Sequence, residues 1–315
     1  MLRSLCLALA VVIHASPAAS RTPPADAPAA PSYARPPAPG ELVDIGGRKL
    51  HVQCKGPAGG PTVIFEAGLS QYTANSTYGK AQDLIAASAR VCIYDRAGLG
   101  WSDPAPDGRT HQDMAEDLRK LTTALHLEKP FILVGHSMGG MITRLYARQY
   151  PADVAAMVLV EASPETLIFA PGSDESRKAT VAKINQGLAS ATTDQPVVPM
   201  AAGTPGEVQL AFTPAVLRAV RQEYEAIDLT PEEWRGEGGY GHLGSMPLTV
   251  IRRGRTANPP SEADLDWQSL QQSLLGLSTD SELIVAEKSG HVVPYDQPEV
   301  VAGAVLKLLS RLQAQ

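Results

Sequence analysis

Gly135-His136-Ser137-Met138-Gly139 follows the apolar run Pro130-Phe131-Ile132-Leu133-Val134 and opens a helical pattern at Met138. A serine at the apex of a strand-to-helix turn takes a strained backbone conformation, and the residues two before and two after it lie so close to their neighbours that only glycine fits. Both positions are glycine here, and Gly140 adds a third small residue where the new helix crosses the strands. Ser137 is therefore the candidate nucleophile. A Gly-rich loop with a surface serine, the plainer alternative, leaves unexplained why an apolar strand precedes it and a helix follows.

A serine hydroxyl becomes a useful nucleophile when a base takes its proton, and the base must be held in one tautomer by a third group. Imidazole suits the task because its pKa lies near neutrality. The chain has seven histidines. His14 lies in an apolar leader, His51 in an early hairpin, His111 at a helix start, His126 after a helix and His242 in an irregular insert. His136 fills the serine turn, where it packs or hydrogen-bonds locally. His291 stands between the last core strand and the terminal helix.

The elements that must position these groups are legible. Segments 41–45 and 49–54 alternate as two antiparallel strands joined at Gly46-Gly47. Short apolar runs at 62–66, 91–95, 131–135, 155–161, 248–252 and 283–287 suit a parallel sheet covered on both faces. Thr110 and Asp113 form a capping-box start to a helix whose Met114, Leu118, Leu121 and Leu125 share one face. Pro298 opens a last helix with the stripe Val301, Val305, Leu308 and Leu312. Both stripes are core. The alternation predicts a doubly wound, mostly parallel α/β sheet with its ligand site at the carboxyl ends of the strands, where Ser137, Glu66, Asp95 and Glu161 fall.

Five landmarks in order, Phe65-Glu66-Ala67-Gly68-Leu69, the stretch Tyr94-Asp95-Arg96-Ala97-Gly98-Leu99-Gly100-Trp101-Ser102-Asp103, the serine turn, Leu159-Val160-Glu161-Ala162-Ser163 and Ser289-Gly290-His291, give a chain that resembles the α/β-hydrolase superfamily over residues 41–312. The resemblance implies the α/β-hydrolase fold with a helical cap inserted after the sixth strand, here about 164–245, with two helices near 175–189 and 213–224. It implies His291 as base and the backbone N–H groups of Leu69 and Met138 as oxyanion donors. Glu66 is expected to hold the Leu69 loop by hydrogen bonds. Asp95, Arg96 and Trp101 brace the adjoining turn, with Trp101 also placed to line the pocket.

The family usually carries its acid after the seventh strand, but this chain reads Gly254-Arg255-Thr256-Ala257-Asn258 there. Some members, haloalkane dehalogenases among them, carry it after the sixth, where Glu161 stands. Glu161 is thus the expected acid, with Asp264 and Asp266 as alternatives that, with Glu262, also suit the first turn of a helix. Such a site implies hydrolysis of a small ester-like substrate through an acyl-enzyme, with lactones, amides and aminoacyl compounds open to the same fold. A perhydrolase-like or non-catalytic ligand-binding relative is the alternative of another class. Dehalogenase and epoxide hydrolase are disfavoured, since both use aspartate where Ser137 stands.

No cofactor or metal is implied, because neither His-Glu-x-x-His nor paired Cys-x-x-Cys occurs. Residues 1–20 read as a secretory signal, with Arg3, an apolar core at 5–13 and Ala18-Ala19-Ser20 for cleavage near Ser20. That core is shorter than the ~20 residues a bilayer span needs, so no stable membrane anchor is expected, and the chain reads as periplasmic or secreted. Cys6 lies too near the start to be a lipidated cysteine. Residues 21–40 hold seven prolines and six alanines, the composition of a disordered linker. The remaining 41–315 suit one domain. Oligomeric state is not encoded in any pattern here.

Lysine and arginine number 27 against 33 acidic residues, a net charge of -6 that becomes -7 once Arg3 is removed with the leader. This acidic balance, with no basic run interleaved by aromatics, opposes nucleic-acid binding. Arg252, Arg253 and Arg255 form the one basic cluster and read as a solvated loop face, or more sharply as a seat for an anionic substrate group. In the hydrolase order the strands of Cys54 and Cys92 are neighbours, so an exported chain is expected to join them as a disulfide; two buried free thiols are the alternative.

Overall fold

Apolar strands without a polar face need cover on both sides, and alternating helices supply it. In the computed structural model, which describes residues 34–71, 74–198, 204–236 and 238–314, the strands are β1 (Glu41–Asp44), β2 (Lys49–Lys55), β3 (Val63–Glu66), β4 (Val91–Tyr94), β5 (Phe131–His136), β6 (Val154–Val160), β7 (Leu248–Arg253) and β8 (Ser281–Ala286). They form one sheet in the order β1-β2-β4-β3-β5-β6-β7-β8. The β1/β2 and β2/β4 pairs are antiparallel and the rest parallel.

The helices are α1 (Ala74–Ala86), α2 (His111–Ala124), α3 (Met138–Gln149), α4 (Glu165–Ile168), α5 (Ser173–Ala189), α6 (Gly206–Leu210), α7 (Pro214–Asp228), α8 (Glu262–Ser273), α9 (Val293–Asp296) and α10 (Pro298–Gln313). Strand alternation splits the core into two layers. Phe65, Val134 and Val158 pack with Tyr78 of α1 and Val305 of α10, while Ile64, Leu133 and Leu159 pack with Leu118 of α2 and Ile142 of α3. Thr110 makes the expected capping box with Asp113. No helix among the described residues is long and apolar enough to cross a membrane.

Register explains the cysteines. Cys54 on β2 lies directly opposite Cys92 on β4, and their sulfurs are bonded. The expected leader at 1–20 and the linker up to residue 33 lie outside the described residues. The end of the Pro/Ala-rich stretch is attached to the body: Arg35 donates to the Gly100 carbonyl at 2.9 Å, Trp101 Nε1 donates to the Pro36 carbonyl at 2.8 Å, and Ala38 packs against the apolar cluster that Leu99 and Trp101 share with the cap.

Between β6 and β7 the chain builds the helical cap, α4 to α7. Val216, Ala219, Val220 and Tyr224 of α7 seat it on Leu99 and Trp101. Where it leaves and rejoins the sheet, Arg144 of α3 binds both oxygens of Glu165 at 2.8 and 2.7 Å and reaches the Gly241 carbonyl at 3.2 Å, while the Tyr240 N–H donates to Glu165 at 3.0 Å. These groups are buried, so each charge depends on its partner.

Candidate active site

The turn after β5 is as tight as its glycines imply. Ser137 has φ 52° and ψ -122°, a region that a residue with a Cβ occupies only under strain. A Cβ on Gly135 would meet Gly140 Cα at 2.6 Å, and one on Gly139 would meet the Glu66 carbonyl oxygen at 2.3 Å. The Ser137 N–H donates to the Val160 carbonyl at 3.1 Å, and Ser163 N–H donates to the Ser137 carbonyl at 3.1 Å. The serine is thereby fixed over the β5–β6 edge, at the amino end of α3, where backbone N–H groups lack intrahelical acceptors.

Two further loops deliver partners to it. His291, between β8 and α9, places Nε2 3.1 Å from Ser137 Oγ and Nδ1 3.1 Å from Glu161 Oε2. With Nδ1–H donating to the carboxylate, Nε2 carries the lone pair that faces the hydroxyl. Glu161 follows β6 with φ 47°, a second non-glycine residue in the left-handed region. Its side chain is fully buried, yet every donor around it has a use: Oε1 accepts from Arg253 N–H at 2.7 Å and Trp267 Nε1 at 3.0 Å, and Oε2 from Arg253 Nη1 at 3.1 Å as well as His291. Burial alone raises a carboxyl pKa, but the hydrogen bonds and charge of His291, with the Trp267 and Arg253 donors, outweigh it and hold Glu161 below the usual range.

His136 behaves as a scaffold. Its Nε2–H donates to the His291 carbonyl at 2.9 Å, and burial, with the neighbouring His291, pushes its pKa down to about 3. The ring stays neutral and steadies the backbone that carries His291. The Leu69 loop stands beside the serine, since a Cβ on Gly68 would lie 3.2 Å from Ser137 Cβ. Arg96 secures this loop through the Ala67 and Gly68 carbonyls at 2.5 and 2.7 Å. Glu66 bonds Arg96 at 2.9 Å and Tyr94, so its grip on the loop is indirect. Burial raises the Glu66 pKa despite Arg96 beside it. Among the described residues no group of three or more histidines, cysteines and carboxylates is placed to hold a metal.

This order of strands, with a strained serine after β5 and a histidine after β8, coincides with a family match: the alpha/beta hydrolase fold model matches residues 61–197. The chain has the α/β-hydrolase fold. It is similar to YqjL of Bacillus subtilis (strain 168), 28% identical over 262 residues that cover 83% of this chain and 88% of YqjL. Its fold is shared with a thermophilic esterase from Thermogutta terrifontis, at 19% identity and TM-score 0.61 over 86% of this chain and 97% of that one. An esterase from Exiguobacterium antarcticum aligns with TM-score 0.61 at 18% identity, over 86% and 99%.

The alternative acids are elsewhere engaged. Asp264 caps α8 by accepting from Ser261 N–H and Oγ at 3.1 and 2.6 Å, and it meets Arg253 at 3.4 Å; Asp266 is exposed on the same helix. Arg253 corrects the reading of the basic cluster. It is 14% exposed and binds Glu161, so it is no solvated loop face. Strand alternation was the available signal, because Arg252 and Arg253 must point to opposite sides of β7. Two further neighbours escaped sequence reasoning. Trp267 both donates to Glu161 and packs edge-to-face with the His291 ring, centroids 5.6 Å apart, and Ser163 places its hydroxyl 3.4 Å from Ser137 Oγ.

Proposed function

We propose that the protein is a serine hydrolase that cleaves carboxylic esters through an acyl-enzyme. One observation carries the reading: the unbroken hydrogen-bond chain from Ser137 through His291 to a buried, ionised Glu161, with 3.1 Å at each link. In the forward step Ser137 Oγ attacks the ester carbonyl carbon while its proton passes to His291 Nε2, and Glu161 stabilises the imidazolium. The carbonyl π pair moves to oxygen, and the N–H groups of Leu69 and Met138 receive that oxyanion. Collapse breaks the carbon–alkoxy bond, with the His291 proton leaving on the alcohol. Water then repeats the sequence: His291 takes its proton, hydroxide adds to the acyl carbon, and Ser137 Oγ departs with the proton returned.

The Cys54–Cys92 bond supports a place for this chemistry in an oxidising compartment, as the leader pattern implies. The test is labelling with a fluorophosphonate probe beside turnover of chromogenic esters of increasing acyl length. The native protein should label at Ser137 and turn over at least one ester, and Ser137→Ala should fold but do neither. Undiminished labelling of the alanine variant would remove Ser137 as nucleophile. Labelling without turnover of any ester would leave a serine-bearing site for amides, lactones or another acyl donor.

A further inference from the structure

The cap reaches beneath the candidate oxyanion loop. Glu223 of α7 is 2% exposed, on a helix whose Val216, Ala219 and Val220 join the apolar cluster of Leu99 and Trp101 and whose Gln222 donates to Asp107 at 2.7 Å. Its Oε1 accepts from Arg96 Nε at 2.6 Å and its Oε2 from the Ser70 N–H at 2.7 Å. Arg96 in turn holds the Ala67 and Gly68 carbonyls.

Planar peptide units turn these bonds into a statement about Leu69. The Gly68 carbonyl and the Leu69 N–H belong to one trans peptide and point in opposite directions. Arg96, by binding that carbonyl, aims the Leu69 N–H away from itself. The following peptide, which joins Leu69 to Ser70, is held by Glu223 through the Ser70 N–H, and Ser70 itself is strained at φ 61°. Both peptides flanking Leu69 are therefore fixed by one ion pair, and one half of that pair belongs to the cap. The seat is close: a Cβ on Gly98, next to Arg96 in the turn, would stand 2.6 Å from the Ala219 Cβ of α7.

We infer that Glu223 is a positioning residue that couples cap seating to the oxyanion donor at Leu69, so that the donor is aimed only while α7 is docked. This rests on the acyl-enzyme reading above. A donor that meets the oxyanion and not the ground-state carbonyl affects kcat more than KM.

The experiment compares an ester with its thiono analogue, in which sulfur replaces the carbonyl oxygen. Sulfur is a poor acceptor, so the thionoester gains little from aimed N–H donors and the rate ratio reports on them. Fluorophosphonate titration counts active sites and removes differences in folded fraction. Glu223→Gln, which cannot offer two charged acceptor oxygens, should lower kcat for the ester by about 10- to 100-fold with KM within about twofold, and the ester-to-thionoester ratio should fall with it. Ala219→Val lifts α7 from the Gly98 turn without deleting a hydrogen-bonding group, and it should lower the same ratio; it decides the matter if Glu223→Gln does not fold. A ratio equal to that of the native protein, or equal losses on both substrates per titrated site, would overturn the proposal. Absence of Ser137 labelling in the native protein would instead remove the underlying reading.

Discussion

Arg253 grips Glu161 twice, through its own backbone N–H at 2.7 Å and through its guanidinium at 3.1 Å. With Trp267 and His291 this brings four donors to one carboxylate and leaves it no free face. A neutral amide in that place has one acceptor oxygen and a donor NH2 group, which must confront other donors whichever way it turns.

Glu161→Gln should therefore fold and lower turnover by something like 100- to 10,000-fold, as the imidazolium loses its counter-charge and the imidazole its tautomer. Asp264→Asn and Asp266→Asn should each cost far less, because one caps α8 and the other faces solvent. Steady-state kinetics normalised by active-site titration checks this. Near-native turnover in Glu161→Gln, with collapse in an aspartate variant, would move the acid to the loop after β7.

Buried histidines govern the acid limb of stability. Burial, with Arg96 and Arg109 adding to it, pushes the His111 imidazole down to about 3, and His136 is lowered to a similar value. Both stay neutral in the fold, whereas an unfolded imidazole takes a proton below about pH 6.5. Their contribution is thus complete above about pH 6.5 and is lost as the pH falls from there toward 3. Glu161 and Glu165, both held below the carboxylate range, act in the same sense at lower pH. His111→Asn should flatten the dependence of unfolding free energy on pH near pH 5 by about 1.4 kcal/mol per pH unit. Urea unfolding across a pH series measures it, and an unchanged slope would mean that His111 binds its proton equally in both states.

The disulfide closes a loop between residues 38 apart. Replacing Cys54 and Cys92 together by alanine should cost very roughly 3 to 4 kcal/mol, mainly through the freer unfolded chain. Non-reducing peptide mapping of exported protein should yield a Cys54–Cys92 cross-linked peptide. Two alkylatable thiols in the unreduced, denatured protein would contradict it.

Much of this was legible because period carries it. Apolar runs located all eight strands to within a few residues, Thr110-x-x-Asp113 located the start of α2, and the strand ends placed Ser137 and Glu161 near one another. The supporting charges were harder to read. Arg253 is one of three arginines within four residues, and only its place on β7, on the side that faces Glu161, distinguishes it. Glu223 lies among Arg221, Glu225 and other charges, but it also falls at the helical spacing of Val216, Ala219, Val220 and Ile227, all buried. A charge set within an apolar stripe was the available signal, and its partner Arg96 lies 127 residues away in the chain, beyond the reach of any local pattern.

The neck formed by Arg144, Glu165 and Tyr240 has a consequence for how such a molecule can change. The cap departs and returns beside a single carboxylate, so its two ends are tied to one socket on α3, while α7 docks separately on Leu99 and Trp101. Segments of other length or composition can be exchanged there without altering the span across which the strands must close. What the socket does not transmit is the Glu223 contact, so a replacement cassette that lacks an equivalent carboxylate inherits the fold and forfeits the aim of Leu69.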